Sequence, residues 1–258
     1  MRIAFFGVSG ALGAPGDGNV SFAVELDERT VLVDCSGSPA SQLAAVGCGL
    51  TELDVLVLTH AHTDHLYALP SLIHSAWIAG RTKPLPIISN HATREQAQRL
   101  LGVFGLPEKS GMFRFDWITT EEGSYRLSES GGSELMWFPV LHGVPTIGLA
   151  IREGAVRVVY SGDTAPSEAV LEAARGCDLL IHECSGAFDD EARLRQQGHT
   201  SAEQAGRLAR EAGAARAALV HLPATGWEAL RDEAAEAFGK PVEILARGCW
   251  ITILADSE

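Results

Sequence analysis

The sequence predicts an α/β fold in which two β-sheets pack together and carry helices on their outer faces. Strand-like runs fall into two blocks, each followed by helical patterns. Apolar strands repeatedly end in clusters of His and Asp, and 258 residues with 46% apolar side chains suffice for a large buried core. No linker, low-complexity tract or strict short repeat interrupts the chain, so residues 1–258 are expected to form a single domain.

The elements follow in order. RIAFFGV, SFAVEL and TVLVDC read as an antiparallel meander, separated by the turn-rich GAPGDG and DERT. A short helix over PASQLAAVG precedes the buried strand LDVLVLTH, which runs directly into HAHTDHLYALPSLIHSAWIAG, a segment whose apolar spacing suits one helix. PLPIISN is a further strand, and Thr93 with Gln96 forms a capping box ahead of REQAQRLLGVFG. ELMWFPVLH and RVVYSGD are strands of the second block. From residue 167 onward, helices (SEAVLEAARG, SAEQAGRLAREAG) alternate with strands (CDLLIHEC, AALVHL), and the chain closes with a last helix and the strands VEILARG and WITILA.

Composition narrows the function. A formal net charge of −13, with no run of Lys or Arg, argues against a surface that wraps a polyanion. Five scattered cysteines give neither a disulfide framework nor a zinc-ribbon spacing and read as reduced thiols. The N-terminus lacks the apolar stretch of a signal peptide, and no segment approaches the length of a membrane span. A soluble, cytoplasmic enzyme is expected.

The strongest chemical signal is His60-Ala61-His62-Thr63-Asp64-His65, where four metal-ligand side chains occupy six positions immediately after an apolar strand. Two imidazoles two residues apart in an extended turn can meet one ion, while Asp64 and His65, turned toward the helix, can face a second. Imidazole with carboxylate suits zinc or another borderline divalent metal, and a pair of such ions polarises a substrate and generates hydroxide near neutral pH. The remaining ligands are expected at equivalent places: His142 after LMWFPVL, Asp163 after RVVYSG and His221 after AALV each end an apolar strand. Taken singly, a strand-terminal His is more often only hydrogen-bonded, and the Asp of SGDT is as often a helix cap. The repeated placement beside the six-residue cluster favours ligation.

These features resemble the metallo-β-lactamase superfamily, and within it the ribonuclease Z group of tRNA 3′-end endonucleases and related phosphodiesterases. Asp64-His65-Leu66-Tyr67-Ala68-Leu69-Pro70-Ser71-Leu72, the Leu32-Val33-Asp34-Cys35 strand end, and CDLLIHECS with the downstream GHTSAEQA carry the narrower match. The resemblance implies a four-layer αββα sandwich of two mixed sheets flanked by helices. It implies a dinuclear, metal-dependent hydrolase with two divalent ions, zinc or else manganese. His60, His62 and His142 would hold one ion, Asp64, His65 and His221 the other, and Asp163 would bridge them. Asp64 would also orient the nucleophile, Asp34 would orient a ligand histidine, and His199, positioned by Glu183, would serve the leaving group. His182 is expected to point away from Glu183 and the site, and His74 and His91 read as structural.

Two departures limit the match. The bacterial ribonuclease Z group carries a basic, Gly-rich tRNA-clamping arm between the positions of His142 and Asp163, where this chain has only GVPTIGLAIREGAVRVVYSG. After His221 the group continues Ser-Pro-Arg, where this chain has Leu222-Pro223-Ala224-Thr225. Hydrolysis of a small-molecule or short nucleic-acid phosphodiester is therefore expected: a cyclic nucleotide, a nucleotide diester or an RNA 3′ end, rather than a whole tRNA. The competing expectations are hydrolysis of another ester-like bond (lactone, thioester, sulfate ester, β-lactam), tRNA 3′-processing proper, an iron-dependent oxidoreductase, and a scaffold without chemistry. A homodimer paired through the helix after Asp64 fits the apolar Leu66–Trp77 segment.

Overall fold

The computed structural model describes residues 1–127 and 132–255. Strands β1 (Arg2–Gly7), β2 (Ser21–Leu26), β3 (Arg29–Val33), β4 (Leu53–Leu58), β5 (Leu85–Ser89) and β6 (Phe115–Thr119) lie side by side in chain order. The first three are antiparallel and the rest join in parallel. The second sheet repeats the plan with β7 (Gly123–Arg126), β8 (Ser133–Val140), β9 (Thr146–Glu153), β10 (Val156–Tyr160), β11 (Leu179–Glu183), β12 (Arg216–Val220) and β13 (Val242–Glu243). Here too an antiparallel meander, β7 to β10, leads into parallel strands. The last strand, β14 (Ile251–Thr252), returns to the first sheet beside β1, so each sheet has seven strands.

Alternation along the strands builds the layers. Val55 and Val57 of β4 join a buried cluster with Leu149, Tyr160 and Ile181 of the second sheet, while Leu56 and Leu58 pack with Leu69, Leu72, Ile73 and Leu101 outside. The latter residues come from α3 (Leu69–Ile78) and α4 (His91–Val103), which with α1 (Pro39–Ala45) and the short α2 (Thr63–Leu66) serve the first sheet. Helices α5 (Glu168–Ala174), α6 (Glu191–Gln197), α7 (Ala202–Ala212) and α8 (Trp227–Phe238) follow the second sheet's later strands. The expected two-sheet, four-layer arrangement is observed, with the parallel strands of both sheets ending at the cluster of His and Asp side chains.

Local details differ from expectation. The helix predicted to continue through Trp77 is broken after Leu66, because Pro70 near the start of α3 has no N–H to donate. The break frees the His65 carbonyl and the Ala68 N–H, which bond to the backbone of Cys35 at 2.8 and 3.0 Å. Asn90, not Thr93, caps α4: its side chain accepts the Thr93 N–H at 2.8 Å, so Thr93 lies inside the helix. VEILARG and WITILA pair over only two residues each. For α7 the capping box is real, formed by Ser201 and Gln204. Among the described residues no helix is long and apolar enough to cross a membrane.

Helices α7 and α8 approach closely at Gly206 of α7, where an added Cβ would lie 2.1 Å from the Ala234 carbonyl oxygen of α8. That partner is backbone and cannot yield. Gly206→Ala is expected to destabilise the protein by about 2 kcal/mol or more, read as a lowered midpoint in thermal or urea unfolding. A midpoint unchanged from the parent would refute this close packing.

Candidate metal centre

Four strands and one short helix deliver the site. His60 and His62 follow β4, His142 follows β8, Asp163 follows β10, and His221 follows β12, while Asp64 and His65 lie on α2. Ligand atoms of His60, His62, His142 and Asp163 all lie within 4.8 Å of one another, as do those of Asp64, His65 and His221. The Asp163 Oδ2 atom stands between the groups, 3.7 Å from His60 Nε2, 3.5 Å from His65 Nε2 and 3.0 Å from His221 Nε2. Asp64 Oδ2 lies 3.6 Å from His65 Nε2 and 3.5 Å from His221 Nε2. All seven residues singled out as ligands from the sequence are thus brought together, in two sets that meet at one carboxylate.

Each ring is aimed by the partner of its other nitrogen. His65 Nδ1–H donates to Asp34 Oδ2 at 2.7 Å, and His142 Nδ1–H donates to the Gly198 carbonyl at 2.8 Å. The Thr59 hydroxyl donates to Asp34 at 2.9 Å, so its oxygen is left to accept from His60 Nδ1 at 3.1 Å. The Ser185 hydroxyl likewise donates to Glu183 Oε2 at 3.0 Å and accepts from His221 Nδ1 at 3.0 Å. Four of the five imidazoles therefore carry their proton on Nδ1 and present the Nε2 lone pair to the centre. Asp34 and His221 hold left-handed backbone angles, φ 56° and 55°, a strain that concentrates where a side chain must be aimed.

The donor set fits divalent ions. His60 Nε2, His65 Nε2 and Asp163 Oδ1 are buried without a hydrogen-bond partner, an arrangement that needs a cation to satisfy it. The set is imidazole and carboxylate with no thiolate, as suits a hydrolytic rather than a closed structural site. Burial, helped by neighbouring imidazoles, holds the His60, His62 and His142 pKa values down, keeping those rings neutral. Burial also opposes charge on His65 and His221, but Asp163, with Asp34 and Asp64, overrides it and raises both. Asp163 itself is held well below the carboxylate range against its burial by His221 and His65. These carboxylates favour positive charge among the donors, which divalent cations would supply.

The remaining predicted residues adjoin the donors, and His199 itself forms a third close group with Asp163 and His221, their ligand atoms all within 4.8 Å of one another. Glu183 is fully buried, and its Oε1 accepts from the Thr164 N–H at 3.0 Å and from His199 Nδ1–H at 2.8 Å. His199 follows Gly198, whose left-handed φ of 78° ends α6. The His199 ring stacks on His221 at 5.1 Å and meets His142 edge-on at 4.9 Å. Burial disfavours its charge, but the Glu183 hydrogen bond and carboxylate outweigh this and raise its pKa. His182 points away, its Nδ1 bonded to the Glu183 carbonyl at 2.8 Å, and His74 and His91 are exposed and join no donor cluster among the described residues. Sequence reasoning missed Thr59, Ser185 and the Gly198 carbonyl. Ser185 lies within the CDLLIHECS stretch, but nothing in its type signalled a bond to an imidazole.

Comparisons with known proteins bear on the family and the fold. A family model described as a beta-lactamase superfamily domain matches residues 29–222. Ribonuclease Z of Methanothermobacter thermautotrophicus is 28% identical, over 86% of this chain and 86% of that protein. The metallo-β-lactamase fold protein YhfI of Bacillus subtilis, a probable metallo-hydrolase, superposes with a TM-score of 0.82 at 26% identity, covering 97% of this chain and 99% of that one. Human tRNase Z, short form, shares the fold with a TM-score of 0.80 at 18% identity over 98% of this chain and 100% of its own.

Adding zinc to chelator-treated protein is expected to raise its unfolding midpoint, by a free energy of about 2.7 kcal/mol when free zinc is a hundredfold above its Kd. Asp34→Ala should weaken zinc binding by about 10- to 100-fold in competition with a chromophoric chelator, since His65 and Thr59 lose their anchor. A midpoint indifferent to zinc would show that the donors do not hold it.

Proposed function

Because the chain belongs to the metallo-β-lactamase superfamily and is a metal-dependent hydrolase of the ribonuclease Z-related type, we propose that it is a dinuclear zinc phosphodiesterase. Its substrate is a cyclic nucleotide, a nucleotide diester or a short RNA 3′ end. The observation that carries this reading is the His199–Glu183 pair, an imidazole held at 2.8 Å by a buried carboxylate at the edge of the donor cluster. A departing alkoxide needs a proton, and a raised imidazole pKa keeps one available.

We assign His60, His62 and His142 to one ion, Asp64, His65 and His221 to the other, and Asp163 to both. When bound, the two ions supply the nucleophilic hydroxide and neutralise charge on the phosphoryl oxygens. Asp64, half-buried beside His221, is placed to orient the attacking group. His199 Nε2 delivers the proton to the leaving oxygen while Glu183 holds Nδ1 and stabilises the imidazolium.

The interval after His142 is taken up by the β9–β10 hairpin, with no length left for a clamping arm, and the overall charge of −13 offers no platform for a folded RNA. Both features favour a short substrate over a whole tRNA. The unpaired cysteines support a cytoplasmic setting. A second copy would pair through the face after Asp64, where the exposed Tyr67 and Phe104 line one cavity.

The test is turnover of bis(p-nitrophenyl) phosphate by the zinc-loaded protein. His199→Ala should lower kcat by about 10²- to 10⁴-fold while metal content stays at that of the parent. A variant that loses metal would instead make His199 a ligand, and a metal-loaded parent without diester turnover would redirect the reading to lactone, thioester or sulfate-ester hydrolysis. Glu183→Gln removes the charge that raises the His199 pKa, so the protonated acid is lost at lower pH and the basic limb of the kcat profile moves down.

A further inference from the structure

We propose that the cavity beside His221 is a nucleobase subsite, holding the part of the diester that stays esterified to phosphorus while the other alkoxide leaves. The proposal rests on the phosphodiesterase reading for its choice of ligand. The cavity has a volume of about 600 Å³ and is lined by Ala14, Pro15, Thr225, Trp227, Glu228 and Arg247 among others. That is within the usual range for a small-molecule site.

Its position follows from the backbone. The segment after β1 is zipped to the segment carrying His221 by Leu222 N–H to the Val8 carbonyl at 3.0 Å and Gly10 N–H to the Leu222 carbonyl at 2.9 Å. Gly10 is so near that an added Cβ would touch His221 Cε1 at 2.9 Å. The continuations of these two segments, Ala14, Pro15 and Asp17 on one and Ala224–Ala229 on the other, line the cavity together with Arg247. The cavity is therefore reached within a few residues of the Gly10–His221 contact along both segments.

The walls are built and held. The Trp227 indole N–H donates to the Pro223 carbonyl at 2.6 Å, which fixes the ring while part of it stays accessible. Arg247 lies over that ring at 5.7 Å and is itself held by Asp17 at 2.9 Å, whose other oxygen accepts from the Ser9 hydroxyl at 2.6 Å. Because Arg247 is paired with Asp17, the cavity carries no surplus positive charge and is not shaped for a second phosphate. It offers the accessible part of an indole packed on the core, the Arg247 guanidinium over that ring, a proline, apolar alanines and the polar side chains of Thr225 and Glu228. A planar heteroaromatic group with hydrogen-bonding edges fits that chemistry, since bases stack on aromatic and guanidinium faces regardless of sequence.

The experiment compares two substrates with one leaving group, thymidine 5′-(p-nitrophenyl phosphate) and methyl p-nitrophenyl phosphate, on the zinc-loaded full chain. The parent should prefer the nucleoside ester in kcat/KM by about tenfold or more. That preference ratio should fall at least about fivefold in Trp227→Ala, through KM, and be largely restored in Trp227→Phe. Arg247→Ala, a change at an exposed side chain, should lower the ratio in the same direction and covers the case in which Trp227→Ala folds poorly. Equilibrium dialysis with thymidine 5′-monophosphate should show the same loss of affinity. An unchanged ratio together with unchanged nucleotide binding in both alanine variants overturns the subsite. If neither ester turns over, the phosphodiesterase reading falls, and the dialysis still decides whether the cavity takes a base.

Discussion

The carboxylate of Asp34 is the contact on which the rest of the site depends. It is fully buried at the end of β3 and accepts the Thr59 N–H, the Thr59 hydroxyl and His65 Nδ1–H. One side chain thereby fixes the end of the neighbouring strand β4, from which His60 and His62 follow, and the first turn of α2, which carries Asp64 and His65. A buried carboxylate is tolerated only when its lone pairs are filled, and here every partner that fills them is part of the metal-binding segment or adjoins it. Removing Asp34 would misplace half of the donor set at once.

The second sheet solves the same problem with the same parts in another order. Glu183 at the end of β11 bonds to Ser185, and Ser185 bonds to His221, just as Asp34 bonds to Thr59 and Thr59 to His60. In both, a hydroxyl that has given its proton to a carboxylate can only accept from the imidazole, which fixes the tautomer. Glu183 has a further partner in His199, so one carboxylate both aims a ligand through Ser185 and charges the imidazole proposed as acid. Metal geometry and proton supply are coupled on this side of the site and uncoupled on the other.

Much of this was legible in the sequence. The two-block order of strands foretold two sheets, and His60, His62, Asp64, His65, His142, Asp163 and His221 stood out because parallel strands end on one edge and place their last residues together. What stayed hidden was whatever depends on a partner far along the chain. The hydroxyl of Thr59 is set by Asp34, and the hydroxyl of Ser185 and the carbonyl of Gly198 meet His221 and His142, all of them partners far along the chain that leave no local pattern. Asn90 displaced the expected cap at Thr93 because it also reaches the Thr59 and Pro145 carbonyls, tertiary contacts that no local propensity records. The cavity beside His221 was equally invisible, since Pro15, Trp227 and Arg247 are brought together from three separate loops or helix ends.

The strand order has a consequence for assembly. The first six strands and their helices come from residues before 120 and include His60, His62, Asp64 and His65, whereas His142, Asp163 and His221 arrive with the second sheet. Each sheet pairs almost entirely between sequence neighbours, the exception being β14, which must travel back from residue 251 to β1. Local pairing lets each half form early during synthesis, but neither half alone has the donors for two ions. The complete set of seven donors therefore exists only in a chain whose two sheets have docked.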